Sequence, residues 1–296
     1  MRDSSLSQST PNPFKLGLTQ WSHPKWQSDF FGPGTPPQQR LEKYARVFDT
    51  VEGNTTFYAL PTTNTVAQWA RATNDDFSFT FKLPKTITHQ QQLRQSQSLL
   101  RDFFTLMAPL HSRTIQWCIQ LPASFSPQQL PILEKFCQQC PQGFPLAVEV
   151  RHPAFFAKGE DEKRLNQFLI AHQIDRVIMD SRPVFASQDR DPGTLDAQQK
   201  KPRVPVHAIA TAKRPMIRFI GQQSVEQNLA FFSPWLKTLQ QWTQQGIEPL
   251  IMIHTPDNQQ APWHAKAIVQ QLASVMSCHP LPEFPAQVER PQLNMF

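Results

Sequence analysis

Short apolar runs of strand character recur along this chain, and each carries a polar or charged residue at or near its C-terminal end. Strand side chains alternate faces with period two. In Phe77–Lys82 the phenylalanines therefore share one face, and Ser78, Thr80 and Lys82 share the other. Ile115–Gln120 puts its bulky residues at odd positions and turns Gln116 and Gln120 away from them; Leu146–Arg151 does the same with Glu149 and Arg151. Val177–Asp180 ends in an acid, Met216–Arg218 carries a base, and Leu250–His254 ends in an imidazole. An unpaired charge on a buried face is costly. So many strands ending in polar groups point to one shared polar pocket at one end of a barrel.

The order of elements agrees. Strands are predicted near 14–20, 50–54, 77–82, 114–120, 146–151, 176–180, 215–220 and 249–254. Helical spacing follows them at 38–48 (Leu41, Tyr44, Ala45, Phe48), around Val66–Ala70, and at 96–108, 126–137, 160–172, 225–244 and 261–275. Ser126-Pro127 is a good helix start, a capping residue followed by proline at the first helical position. Strand–helix units repeated in one order predict a single (β/α)8 TIM barrel over residues 14–276, rather than a doubly wound sheet. The stretch 181–205, rich in proline and lysine, is too long for an ordinary connection after strand 6 and lies on the side where a lid would form. Residues 1–13 are polar and read as disordered, and the proline-bearing stretch 277–296 as an extended C-terminal tail.

Composition narrows the class. At 296 residues, with 39% hydrophobic and 18% charged residues, the chain is globular. Its net charge of +6 suits an anionic partner, although a solvated basic surface is the commoner meaning. Four cysteines are too few for a disulfide scaffold, and Cys137-x-x-Cys140 lacks the second pair a zinc site needs. No signal peptide pattern and no apolar span of roughly 18 residues occur, so the chain is read as cytoplasmic with no membrane partner. Gly-x-Ser-x-Gly, His-Glu-x-x-His and a Gly-rich phosphate loop are missing.

Ordered motifs cover nearly the whole chain. Trp21-Ser22-His23-Pro24-x-Trp26, Tyr44-Ala45-x-x-Phe48-x-x-Val51-Glu52-x-Asn54-x-Thr56-Phe57-Tyr58 and Lys82-(x)5-Thr88-His89 come first. Gln120-Leu121-Pro122, Ala147-Val148-Glu149-x-Arg151-His152-Pro153, Asp180-Ser181-Arg182, Arg218-Phe219-Ile220-Gly221 and His254-Thr255-Pro256-Asp257-Asn258 follow. Together they resemble the YecE-like family, also called domain of unknown function 72. The resemblance implies a TIM barrel and supplies no activity. The chain departs from the family pattern at Thr19-Gln20, where a small pair is usual, and at Gly53, where an aliphatic residue is usual.

The candidate site residues stand at or just after strand ends. Glu52, Glu149, Asp180 and His254 are the candidates for general acid–base work; the carboxylates could instead do no more than orient arginines. Trp21, Asn54, Tyr58, Lys82, His89, Gln120, Arg151, His152, Arg182, Arg218, Asp257 and Asn258 are the candidates for binding substrate. Lys82 and the three arginines suit phosphate or carboxylate, which guanidinium binds bidentately. The expected activity is acid–base chemistry on a small anionic molecule. No cofactor is required by this reading. The alternative is a divalent metal on Glu52, Glu149, Asp180 and His254, as in some barrel isomerases and nucleases, although the nearby cations oppose it.

The C-terminus, Gln292-Leu293-Asn294-Met295-Phe296, resembles the short peptide with which bacterial replication and repair proteins bind the sliding clamp. Gln292, Leu293, Met295 and Phe296 would be its anchors in a partner groove. This makes a DNA-associated barrel the alternative function, and a non-catalytic ligand-binding barrel a second one.

Overall fold

Parallel strands close into a barrel in which each strand pairs with the next and the last returns to the first. The computed structural model describes residues 11–288. The strands are β1 (Lys15–Leu18), β2 (Thr50–Gly53), β3 (Ser78–Lys82), β4 (Thr114–Gln120), β5 (Leu146–Glu149), β6 (Asp175–Asp180), β7 (Met216–Ile220) and β8 (Leu250–His254). Around them lie α1 (Arg40–Ala45), α2 (Thr55–Tyr58), α3 (Thr63–Arg71), α4 (Gln97–Met107), α5 (Leu130–Cys137) and α6 (Glu160–Ala171). They continue with α7 (Arg182–Ala186), α8 (Pro192–Lys200), α9 (Val225–Gln244), α10 (Ala261–Leu272) and α11 (Pro285–Val288). The architecture is the expected TIM barrel. Among the described residues no helix is long and apolar enough to cross a membrane.

The two phases of each strand go to different places. Leu16, Val51, Phe79, Trp117, Val148 and Ile253 point outward and join the helices in the main core. Cys118, Ala147, Val177, Met216, Leu250 and Met252 form a separate plug inside the barrel. Above the plug, the inward phase becomes polar on most strands, and this transition makes the site.

Two glycines are required by close approach. A Cβ on Gly17 would stand 2.0 Å from the carbonyl oxygen of Thr50 on the neighbouring strand. A Cβ on Gly53 would stand 2.3 Å from the ring of Phe81. That ring stacks between Phe79, Trp69 and Trp117. Gly53 thus makes room for an aromatic stack.

The long connection after β6 is partly helical. It folds as α7 and α8, joined where the Gln198 amide donates to the carbonyl oxygens of Val184 and Ser187. The Asp191 carboxylate caps α8 by accepting from Thr194 N–H at 3.0 Å.

The region after 276 also differs from the extended tail expected. Its described part returns to the barrel: Leu281, Phe284 and Ala286 are buried, and the Phe284 ring meets Phe30 and Trp263. Prolines keep such a segment from continuing a helix but do not prevent its apolar side chains from packing. At the other end, Asn12, placed in the disordered segment by sequence, exchanges two hydrogen bonds with the backbone of His279. Gln292, Leu293, Met295 and Phe296 lie outside the described residues.

Candidate functional site

At the C-terminal rim of the barrel, where TIM-barrel enzymes place their chemistry, the strand ends enclose a cavity of about 440 Å³. Beneath it lies a ladder of buried charges. Arg218 rises from the inner face of β7 and is clamped between two carboxylates. Its Nε donates to Glu52 Oε2 at 2.9 Å, one terminal nitrogen donates to Glu52 Oε1, and the other donates to Glu149 Oε2. The outer cations complete the ladder. Lys82 Nζ stands 3.2 Å from Glu52 Oε1. Arg151 donates from Nε and a terminal nitrogen to Glu149 Oε1, at 2.7 and 2.6 Å.

This arrangement fixes the charge states. Burial alone would raise the carboxyl pKa of Glu52, but Arg218 and Lys82 outweigh it and hold the group below its ordinary value. Burial likewise opposes ionisation of Glu149, and Arg151, Arg218 and Lys82 overcome it, holding that carboxyl far below the usual range. Both are therefore carboxylates at neutral pH. They are too acidic to serve as general acids and too firmly bonded to be good bases. The role that fits them is orientation of the cations.

Two imidazoles border the same cavity. His254, at the end of β8, is buried, and its Nδ1 lies 3.2 Å from the Thr19 hydroxyl. Burial lowers its pKa well below 6.5, and Lys201, Arg218 and Lys82 lower it further. His89 is lowered by burial and then by Arg151 and Lys85. Its Nδ1 lies 2.9 Å from the Thr88 hydroxyl. Both rings are neutral at neutral pH. Gln120, 5% exposed at the end of β4, lines the cavity with its Oε1 buried and without a hydrogen-bond partner.

Of the residues expected to bind substrate, Asn54, Tyr58, Lys82, His89, Gln120, Arg151, Arg218 and Asn258 line this cavity. Trp21 lies beside it, in an annex of about 350 Å³ that also touches Glu52, Asn54 and Tyr58. Tyr58 is 80% exposed at the mouth.

Four expectations need correction. Asp180 is on the outward phase of β6, in step with Ile178, while Val177 and Met179 point inward. Its carboxylate accepts from Trp235 Nε1 at 2.8 Å and from Arg182 at 2.8 and 2.6 Å. Asp180 and Arg182 therefore form a clamp between β6 and α9, and neither lines the cavity. His152 instead caps the turn that follows it, accepting from Ala154 N–H. Asp257 also stays outside the cavity lining, accepting from Gln259 N–H at 3.0 Å.

The proposed metal set fails for the same reason as Asp180. Among the described residues no three His, Cys, Asp or Glu side chains come close enough to hold an ion, and Arg218 occupies the space between the two glutamates. The Cys137-x-x-Cys140 pair carries no reactive thiol. Burial pushes the Cys140 thiol up to about 12 and that of Cys137 higher.

Several lining residues were missed from sequence: Thr19, Gln20, Phe57, Lys85, Met179, Lys200, Lys201 and Ile220. Met179 and Ile220 could have been found, because they continue the inward phase of Val177 and Arg218. Lys200 and Lys201 carried no strand signal. They reach the cavity only because α8 folds back over the rim.

Comparison with known proteins agrees with this architecture. Residues 15–287 match the model of the family described as "Protein of unknown function DUF72". The chain is 49% identical over 247 residues to UPF0759 protein YecE of Escherichia coli K12, covering 83% of this chain and 88% of that one. UPF0759 protein YunF of Bacillus subtilis is 24% identical over 158 residues, 51% of this chain and 55% of that one. Two DUF72 crystal structures share the fold. The Enterococcus faecalis protein has a TM-score of 0.67 at 21% identity, covering 89% of this chain and 98% of its own. The Thermotoga maritima protein has 0.65 at 24%, covering 88% and 99%. The chain belongs to the DUF72 family.

Proposed function

We propose that this DUF72 barrel is an enzyme that binds a small phosphate- or carboxylate-bearing molecule in the rim cavity and acts on it through the neutral groups around the anion. One observation carries the reading: cations outnumber carboxylates around the cavity. Lys82, Lys85, Arg151, Lys200, Lys201 and Arg218 line it, against Glu52 and Glu149 beneath and Asp196 beside Lys200. Solvent and counter-ions can balance the excess at the surface, but it is concentrated in a concave, partly buried site, where the field on an anion is strongest.

The roles then separate by charge state. Glu52 and Glu149 hold Arg218, Lys82 and Arg151 in place. Those cations and Lys85 receive the anion. His254 and His89, held neutral, are the groups able to accept or relay a proton, and Gln120 offers an unused acceptor to a substrate hydroxyl or amine. Trp21 and Tyr58, in and beside the annex, can cover an apolar or ring portion of the same molecule.

Isothermal calorimetry against inorganic phosphate and simple mono- and dicarboxylates at low salt tests the reading. A charge-assisted hydrogen bond contributes about 1.5–3 kcal/mol, so Arg151→Met should weaken binding by about 10–100-fold. Lys85→Met, at an exposed position, should weaken it less and leave the fold untouched. An absence of saturable binding at millimolar ligand would remove the basis for an anionic substrate. Binding with no turnover of any bound class would leave a ligand-binding barrel.

A further inference from the structure

Lys201 differs from the other cavity cations. Lys82, Arg151 and Arg218 each pair with Glu52 or Glu149, and Lys200 pairs with Asp196 at 2.6 Å. Lys85 is exposed. Among the described residues Lys201 is the one half-buried cavity cation without a carboxylate partner. Its backbone is held on both sides. Lys201 N–H donates to Ala197 O at 2.9 Å, closing α8, and the next carbonyl, that of Pro202, accepts from the Ser181 hydroxyl at 2.9 Å, at the end of β6. The side chain anchored this way lines the same cavity as Lys82, Arg151 and Arg218. The unpartnered Gln120 Oε1 borders the same space.

We propose that Lys201 is a covalent nucleophile that forms an imine with a carbonyl compound carrying a phosphate or carboxylate, its anionic group held by Lys82 and Arg151. The assignment rests on the anion-binding reading of this cavity and adds the substrate class, an anionic aldehyde or ketone. In the step, the neutral Nζ attacks the carbonyl carbon and an N–C bond forms. The carbonyl π pair moves to oxygen, which takes the proton that nitrogen loses, giving a carbinolamine. The nitrogen lone pair then expels that oxygen as water, with one proton drawn from solvent, and a protonated imine remains. No oxidant or reductant takes part. Gln120 Oε1 is available to accept from the carbinolamine hydroxyl, and His254 to relay the proton.

The electrostatics favour the step. Burial, then Arg218 and Lys82, lower the Lys201 amine from 10.5 to about 8. At neutral pH about one molecule in ten then carries the unprotonated amine, against about one in several thousand for an ordinary lysine. Lys82 is already engaged with the Glu52 carboxylate at 3.2 Å, which makes it a poor candidate for the same task.

The test is reductive trapping. The full chain is incubated near neutral pH with sodium cyanoborohydride and one of three probes: glyoxylate, glycolaldehyde phosphate, or uncharged glycolaldehyde. Adducts are then located by peptide mass mapping. The expected result is an adduct on Lys201 at least tenfold above that on exposed lysines such as Lys25 and Lys163, with both anionic probes and not with glycolaldehyde. Inorganic phosphate should compete. Lys201→Arg keeps the charge and should still bind phosphate in calorimetry while losing the adduct; Lys201→Met should also lose the adduct. Phosphate binding without preferential trapping at Lys201 overturns the imine and leaves the anion site standing. Equal trapping by charged and uncharged probes, with no phosphate binding, overturns both.

Discussion

Replacing Arg218 by methionine should cost stability before it costs anything else. Both glutamates beside Arg218 are 1% exposed, and the guanidinium supplies three of their hydrogen bonds. Removing one partner of a buried ion pair typically costs about 3–5 kcal/mol, because the other charge stays buried. Here Glu52 keeps Lys82 and Glu149 keeps Arg151, so the lower end, about 3 kcal/mol, is expected near neutral pH. For a domain of this size that corresponds to a fall in Tm of about 6–12 °C. The pH dependence gives the sharper check. The folded-state pKa values of Glu52 and Glu149 are depressed from 4.5. Their stabilisation is therefore fully present above about pH 4.5 and is lost as pH falls toward the folded values, because the unfolded chain takes up protons first. Without Arg218 those values rise toward the ordinary one, so the variant loses less on acidification. Guanidinium titrations followed by tryptophan fluorescence, at about pH 7.5 and about pH 4, should show the gap between the two proteins narrowing at the lower pH. A loss below about 1 kcal/mol at pH 7.5, or a gap that widens on acidification, would mean that Arg218 does not hold these carboxylates.

Asp175 should behave with the opposite sign: burial outweighs its bonds to Arg214 and Gln116 and raises its pKa to about 6, so its neutral form favours the fold at low pH and that contribution is lost as pH rises from about 4 to about 6. The Tm of Asp175→Asn relative to the native protein should accordingly move in favour of the variant between pH 4.5 and 7.5, and a pH-independent difference would contradict this. Gly17→Ala drives a methyl into the Thr50 carbonyl and should lower stability by about 1–3 kcal/mol or more, the usual cost of overpacking; thermal unfolding decides it, and an unchanged Tm would show that β1 and β2 can separate. Asp180→Asn should lower stability by about 1–3 kcal/mol through lost bonds to Arg182 and Trp235 while phosphate binding in calorimetry stays within about twofold, whereas a large loss of binding would return Asp180 to the site.

The alternation along Phe77–Lys82, Ile115–Gln120 and Leu146–Glu149 was enough to predict the barrel and to put Lys82, Gln120 and Glu149 on the inner face. In these runs one phase holds only bulky apolar residues and the other holds the polar ones together with the small Cys118 and Ala147, so the pattern itself says which side faces the helices. In 175–180 each phase mixes charged with apolar residues, Asp175, Val177 and Met179 against Arg176, Ile178 and Asp180, and periodicity has no means of choosing between them. Only the closed barrel, with Trp235 of α9 waiting outside for a carboxylate, decided that Asp180 turns outward. The partnership of Arg218 with Glu52 and Glu149 lies beyond sequence pattern for a different reason: it joins residues 166 and 69 positions apart, and they meet only because barrel closure and register bring β2, β5 and β7 to one axis. Lys201 was hidden by both causes. It has no periodic neighbours, and its place over the cavity depends on how α7 and α8 fold back across the rim. Local alternation thus determined the barrel and most of its polar rim, because strand geometry acts residue by residue. Which charges neutralise one another, and how Lys201 reaches the cavity, was settled by packing between segments distant in the chain.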